Sequence, residues 1–187
     1  FYSRWWMTVP LILAPFVTTF ILSPPDSWYF KEGNARFDSE LFSSQMHRDF
    51  DKTELVADAE GETLDTVAVL SRIGLDQGRH LVAFFSPTCG YCRLAAEKIS
   101  TIATRKGIDV EKIVYVFPGG FKEEKYEAFY EHANTCRYEE ARIDQELFVR
   151  ITRASFPAVA FVKDGNIVAT YAYRNINEEE ISNFLAE

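Results

Sequence analysis

Two cysteines separated by two residues, Cys89-Gly90-Tyr91-Cys92, stand where an unbroken apolar stretch gives way to a helical pattern, and this junction constrains the chain more than any other feature. Leu81-Val82-Ala83-Phe84-Phe85 reads as a strand buried on both faces, and Ser86-Pro87-Thr88 breaks it before the cysteines. From Tyr91 onward Ala95, Ile99, Ile102 and Ala103 recur at three- and four-residue steps, which predicts a helix with one core-facing stripe. Lys98, Arg105 and Lys106 suit its C-terminal half, and Gly107 suits a left-handed cap.

A thiolate, not a thiol, is the nucleophile in disulfide exchange, so a working cysteine must lose its proton near neutral pH although a free thiol has a pKa of about 8.5. A helix start favours that loss, because its unpaired N–H groups and dipole stabilise an anion. Cys89 is therefore expected to attack, and Cys92, one turn in and more buried, to resolve the mixed disulfide. Positions i and i+3 on one helical face are close enough to bridge.

Farther along, Phe156-Pro157-Ala158-Val159-Ala160-Phe161-Val162 reads as an apolar strand led by proline. Lys163-Asp164-Gly165-Asn166 turns the chain, and Ile167 to Tyr173 returns as the second strand of a hairpin. Val110 to Phe117 is expected as a strand, Lys122 to Asn134 as a helix with Tyr126, Phe129 and Tyr130 on its core face, and Tyr138 to Ile143 as a short strand. Asn177 with Glu180 is a capping signature for a last helix that turns Ile181, Phe184 and Leu185 inward. Leu64, Val67, Ala68 and Ile73 suit a short helix.

Strand, Cys-x-x-Cys helix, strand, helix, proline-led hairpin and terminal helix together resemble the thioredoxin-like thiol-disulfide oxidoreductases over about Leu64 to Glu187. The run Thr88-Cys89-Gly90-Tyr91-Cys92 looks like that of DsbC-type disulfide isomerases, and the helical insertion resembles that of membrane-tethered TlpA-like reductases. The likeness implies an α/β fold with a central mixed sheet flanked by helices. It implies a cis Pro157 beside the dithiol, and a substrate surface at Phe156, Pro157 and Tyr91 with the backbone before the proline pairing with substrate. Two positions depart from the pattern: Ala83 stands where many thioredoxins bury an aspartate, and Thr88 stands in place of their tryptophan. His80 begins the strand that Cys89 follows and so lies at its far end, and Glu97 is expected on the solvated face, which leaves water as the proton acceptor.

A net charge of −8 without a basic run argues against nucleic acid as partner. No phosphate cradle is apparent, three cysteines are too few for a disulfide scaffold, and the dithiol chemistry calls for no cofactor. Residues 1–30 carry only Arg4 and Asp26 as charges. Trp5 to Leu22 would make a helix of about 27 Å, which just reaches across a hydrocarbon core of about 30 Å. Trp5, Trp6, Trp28 and Tyr29 would be interfacial aromatics, and Arg4 on the N-terminal side puts the dithiol outside the cytoplasm, as in a bacterial periplasm. A buried apolar arm is the competing reading of this stretch.

The expected organisation is a membrane-spanning segment at 1–30, a linker or edge segment at 31–63 and the redox domain at 64–187. The expected activity is reduction or isomerisation of protein disulfides, with protein dithiols and disulfides and a membrane-embedded redox protein as partners. Two rival readings stand beside it. Cys89, Cys92, His132 and Cys136 spell a four-ligand zinc set, and a thioredoxin-like domain can also act as a binding module without turnover. Cys136 is otherwise expected to be a small buried apolar residue.

Overall fold

The computed structural model describes residues 14, 36–46, 55–57, 63–65 and 74–186. The elements below all lie within one compact unit, Asn34–Glu187. In chain order they are α1 (Ser39–Met46), β1 (Leu55–Ala57), β2 (Thr63–Asp65), β3 (Arg79–Phe84), α2 (Gly90–Lys106), β4 (Ile113–Pro118), α3 (Glu123–Ala133), β5 (Glu139–Ile143), α4 (Gln145–Thr152), β6 (Ala158–Lys163), β7 (Asn166–Ala172) and α5 (Glu178–Ala186). Short 3₁₀ turns occupy Val110–Lys112 and Tyr173–Asn175.

Five strands form one mixed sheet in the order β5-β4-β3-β6-β7. β3, β4 and β5 run parallel, whereas β6 runs antiparallel to β3 and to β7. Strands buried on both faces read as continuous apolar runs, and β3 and β4 do so because helices cover each side. Alternation along the strand divides the residues between two cores. Leu81, Ala83, Phe85, Tyr115, Phe117, Val159 and Phe161 face the core shared with α2, α3 and α5, while Val82, Phe84, Val114, Val116, Ala160 and Val162 face α1 and α4. β1 and β2 pair antiparallel as a separate two-stranded ribbon.

The hairpin forms as expected: β6 and β7 close through Asp164 and Gly165, both with positive φ, the conformation a two-residue turn of this kind demands. α2 ends on Gly107 in the left-handed region at φ 63°. Tyr126, Phe129 and Tyr130 on α3 are core residues. Several expectations are corrected. Val110–Lys112 is a 3₁₀ turn because the Asp109 carboxylate accepts from the Glu111 N–H, so β4 begins three residues later than the apolar pattern suggests. The stretch read as a linker holds α1, whose Phe42 and Met46 are buried in the second core. A helix absent from the sequence reading, α4, follows β5 and is capped by Asp144. Leu64 lies in β2 and not in a helix. Asn177 caps α5 by accepting from the Glu179 N–H at 2.8 Å.

No helix among the described residues is long and apolar enough to cross a membrane. Trp5 to Leu22, apart from Ala14, lies outside the described residues, as do Val67, Ala68 and Ile73.

Candidate redox site

β3 is the central strand, and the chain leaves its C-terminal end directly into the loop that carries the first cysteine. Phe85 N–H still bonds to the Val116 carbonyl at 2.9 Å, after which Cys89 N–H closes a turn on the Ser86 carbonyl at 3.1 Å. Cys89 is the N-cap of α2, with extended backbone at φ −85° and ψ 118°. Its sulfur accepts from the Cys92 backbone N–H at 3.3 Å, in the place where a serine or aspartate oxygen commonly caps a helix. Both thiols are free.

The two sulfurs sit in unlike surroundings. Cys89 is half-buried, and its pKa is lowered to about 6. The main cause is a hydrogen bond from the Cys92 thiol, helped by the backbone N–H groups of Cys92 and Tyr91 and by the Arg93 guanidinium, against the opposing effect of burial. Cys92 is fully buried in the first core. Burial pushes its thiol well above the ordinary range, as does donation to Cys89, although its sulfur also accepts from the Ser86 N–H at 3.5 Å. One sulfur is thus ready to be an anion at neutral pH, and the other is held neutral behind it.

The β3–β6 register places Ala158 opposite Phe84, so Pro157 stands at the strand end from which the Cys89 loop departs. Pro157 is buried and its peptide bond with Phe156 is cis, as the resemblance implied. Phe156 is 38% exposed and packs on Phe148 of α4, while Tyr91 is 62% exposed with its ring 6.3 Å from that of Tyr173. A mixed sheet of this strand order, a Cys-x-x-Cys pair at the mouth of the helix after the central strand and a cis proline leading the adjacent antiparallel strand decide the architecture. The fold is thioredoxin-like.

No protein-family model matches the chain, and no curated protein does. Solved structures that it resembles include a secreted Mycobacterium tuberculosis disulfide oxidoreductase homologous to E. coli DsbE, at 13% identity over 76% of this chain and 97% of that one, with a TM-score of 0.45. Another is a putative protein disulfide isomerase from Bacteroides thetaiotaomicron, at 18% identity over 73% of this chain and 87% of that one, with a TM-score of 0.49. A third is the thioredoxin domain of a thiol-disulfide oxidoreductase from Bacteroides vulgatus, at 16% identity over 72% of this chain and 94% of that one, with a TM-score of 0.46.

The remaining candidates fall outside the thioredoxin-like site. His80 pairs in register with Val162 near the far end of β3, and burial lowers its pKa. Ala83 is fully buried and Glu97 is exposed, so neither supplies a proton acceptor beside Cys92. Cys136 is exposed, contrary to the expectation of a buried residue, in the segment between α3 and β5, where its backbone N–H donates to the Ser100 hydroxyl at 3.2 Å. Among the described residues no three His, Cys, Asp or Glu side chains converge, so Cys89, Cys92, His132 and Cys136 do not gather into a zinc set; the His132 ring bonds instead to the Ala128 carbonyl of its own helix.

Arg93 is the residue the sequence reading missed. Its side chain folds back from the first turn of α2, with an Nη donating to the Pro87 carbonyl at 3.4 Å and a buried Nε that has no partner. The signal available was a cation at a helix start that holds no acidic residue.

Proposed function

We propose that this chain is a thiol-disulfide oxidoreductase that reduces or isomerises disulfides of protein substrates. The observation that carries the reading is the division of labour between an ionisable, half-buried Cys89 and a neutral, fully buried Cys92. The Cys89 thiolate attacks one sulfur of a substrate disulfide. A bond forms between Cys89 and that sulfur, the substrate disulfide breaks, and its second sulfur leaves as a thiolate that takes up a proton. Cys92, on losing its own proton to water, attacks Cys89; the Cys89–Cys92 disulfide forms and the substrate leaves as a thiol. Two electrons pass from the cysteine pair to the substrate, and a second dithiol must return them. Tyr91, Phe156 and Pro157 flank the attacked bond. In isomerisation the substrate's own thiol, not Cys92, resolves the mixed disulfide, and the cysteine pair ends reduced.

Turnover of insulin disulfides by the full chain tests the mechanism. Cys89→Ser is expected to abolish it and Cys92→Ser to accumulate a mixed disulfide. Activity in both variants equal to that of the parent would overturn the reading.

The reading extends to a membrane tether formed by Trp5 to Leu22, with the redox domain outside the cytoplasm and a membrane-embedded protein supplying electrons. Its support is the uncharged stretch preceded by Arg4 and followed by Asp26. Release of the full chain from cell membranes by alkaline carbonate would contradict it.

A further inference from the structure

Cys92 must give up a proton when it resolves the mixed disulfide, and its sulfur is fully buried, out of contact with bulk water. Its partner cannot take that proton. In the reduced state Cys89 accepts a hydrogen bond from the Cys92 thiol, but once joined to substrate its sulfur carries no charge to receive a proton. Ala83 offers no acceptor and Glu97 is exposed.

Three serine or threonine side chains are buried among the described residues. Thr152 bonds to the Phe148 carbonyl of its own helix, and Ser100 accepts from the Cys136 N–H. Ser86 lies at the dithiol. Its backbone N–H donates to the Cys92 sulfur at 3.5 Å, and its hydroxyl meets the Thr88 hydroxyl at 3.4 Å. Thr88 is exposed, so the pair leads from beside the buried sulfur to the surface in two side chains. Each hydroxyl can donate and accept, as the passage of a proton requires. The loop that holds them is pinned by the Cys89 N–H on the Ser86 carbonyl at 3.1 Å and by Arg93 on the Pro87 carbonyl at 3.4 Å.

We propose that the Ser86 and Thr88 hydroxyls form the path by which the Cys92 proton reaches solvent. As the Cys92 sulfur bonds to that of Cys89, its proton passes to the Ser86 hydroxyl, across at most one water molecule. The Ser86 hydroxyl proton moves to Thr88, and the Thr88 proton moves to bulk water. The Cys89–substrate bond breaks, and its electron pair leaves on the substrate sulfur. Throughout, the Ser86 N–H stays on the Cys92 sulfur and favours the negative charge that grows there. The proposal rests on the redox reading above and adds the proton route of its second step.

The test uses the full chain with Cys136→Ser and the symmetric disulfide of thionitrobenzoate. Cys89 attacks one sulfur of the reagent and expels a first coloured aryl thiolate. Cys92 then attacks Cys89 and expels the second, a good leaving group that needs no proton. This second phase is unimolecular, does not depend on reagent concentration, and reads the Cys92 step alone.

Ser86→Ala and Thr88→Val are each expected to slow the second phase by about tenfold relative to the first, less than the roughly hundredfold of a lost general base, because water can enter the gap. Thr88→Ser, which keeps the hydroxyl, should retain the parent ratio. Since the two hydroxyls act in series, the double variant should be no slower than Ser86→Ala. A second phase that keeps its parent rate in either single variant, equal slowing of both phases, or effects that multiply in the double variant would overturn the relay while leaving the redox reading intact. Failure of the parent to release a second thiolate would remove the redox reading and the relay with it.

Discussion

Arg93 places a cation in the first turn of α2, where the unpaired N–H groups of the helix already carry positive partial charge and acidic residues are ordinarily favoured. α2 has no acidic residue there, and Arg93 forms no ion pair among the described residues. The arrangement is favourable only if a negative charge forms nearby, and the Cys89 sulfur is where it forms: the guanidinium is one of the groups that lower its pKa to about 6. Because the Cys92 thiol and the backbone N–H groups contribute more, removing the cation should weaken the thiolate without abolishing it. In a Cys136→Ser background, the rate of Cys89 alkylation is expected to rise with pH through a midpoint near 6 and then level off. Arg93→Gln should move the midpoint upward and slow the reaction at pH 6 by about threefold, the size of a partly exposed charge interaction; an unchanged profile would remove Arg93 from the site. The placing of Cys89 and Cys92 at the start of α2 and of Pro157 at the head of β6 was legible because turn and helix geometry demand particular residue types at fixed spacings. Arg93 was not, since its part depends on a side chain folding back onto Pro87, which no periodicity encodes.

At the scale of elements, legibility followed the length of the periodic signal and the presence of a stop. α2 repeats its stripe over 17 residues and ends on Gly107, and the Asp164-Gly165 turn names its own conformation. α4 offers neither. It has 8 residues, and its last turn closes on Arg153 and Ala154 in the left-handed region, positions without the glycine that usually marks such an ending. α1 is equally short and lies in a polar stretch whose few apolar residues show little period, yet its Phe42 is fully buried against Phe37 and Phe84. Its entry is fixed to α4 by a hydrogen bond from the Asp38 N–H to the Ile151 carbonyl at 2.8 Å, and Asp38 caps it by accepting from the Leu41 N–H at 2.9 Å. Such long-range ties, and not local propensity, make this segment part of the domain. Phe42→Ala is accordingly expected to cost about 3–5 kcal/mol, the range for truncating a buried phenylalanine, as measured by denaturant unfolding of the full chain. A loss below about 1 kcal/mol, typical of surface positions, would mean that α1 does not belong to the core.

For the whole molecule, the Cys89 sulfur, which the proposed mechanism makes the nucleophile, ties stability to redox state. Cys92 is a core residue packed among those that hold α2 against the sheet, and Cys89 caps the helix. In the native reduced state Cys89 loses its proton near pH 6, whereas the unfolded chain keeps it until near the ordinary thiol value of about 8.5. Between those values the unfolded state binds more protons at this site, so native reduced stability rises with pH, with a slope of up to about 1.4 kcal/mol per pH unit. The contribution fades as pH falls through the folded value of about 6. The disulfide form has no thiol at this position and therefore no such slope, while every other titrating group is common to both forms and largely cancels in their difference. The unfolding free energy of the reduced chain minus that of the oxidised chain should thus be level below about pH 5 and climb from there to about pH 8, above which unfolded Cys92 also ionises in water at its ordinary pKa. Denaturant titrations of both forms across that range, in the Cys136→Ser background, read the difference directly. A level difference throughout would mean that the native sulfur is protonated at neutral pH, and the exchange mechanism would lose its nucleophile.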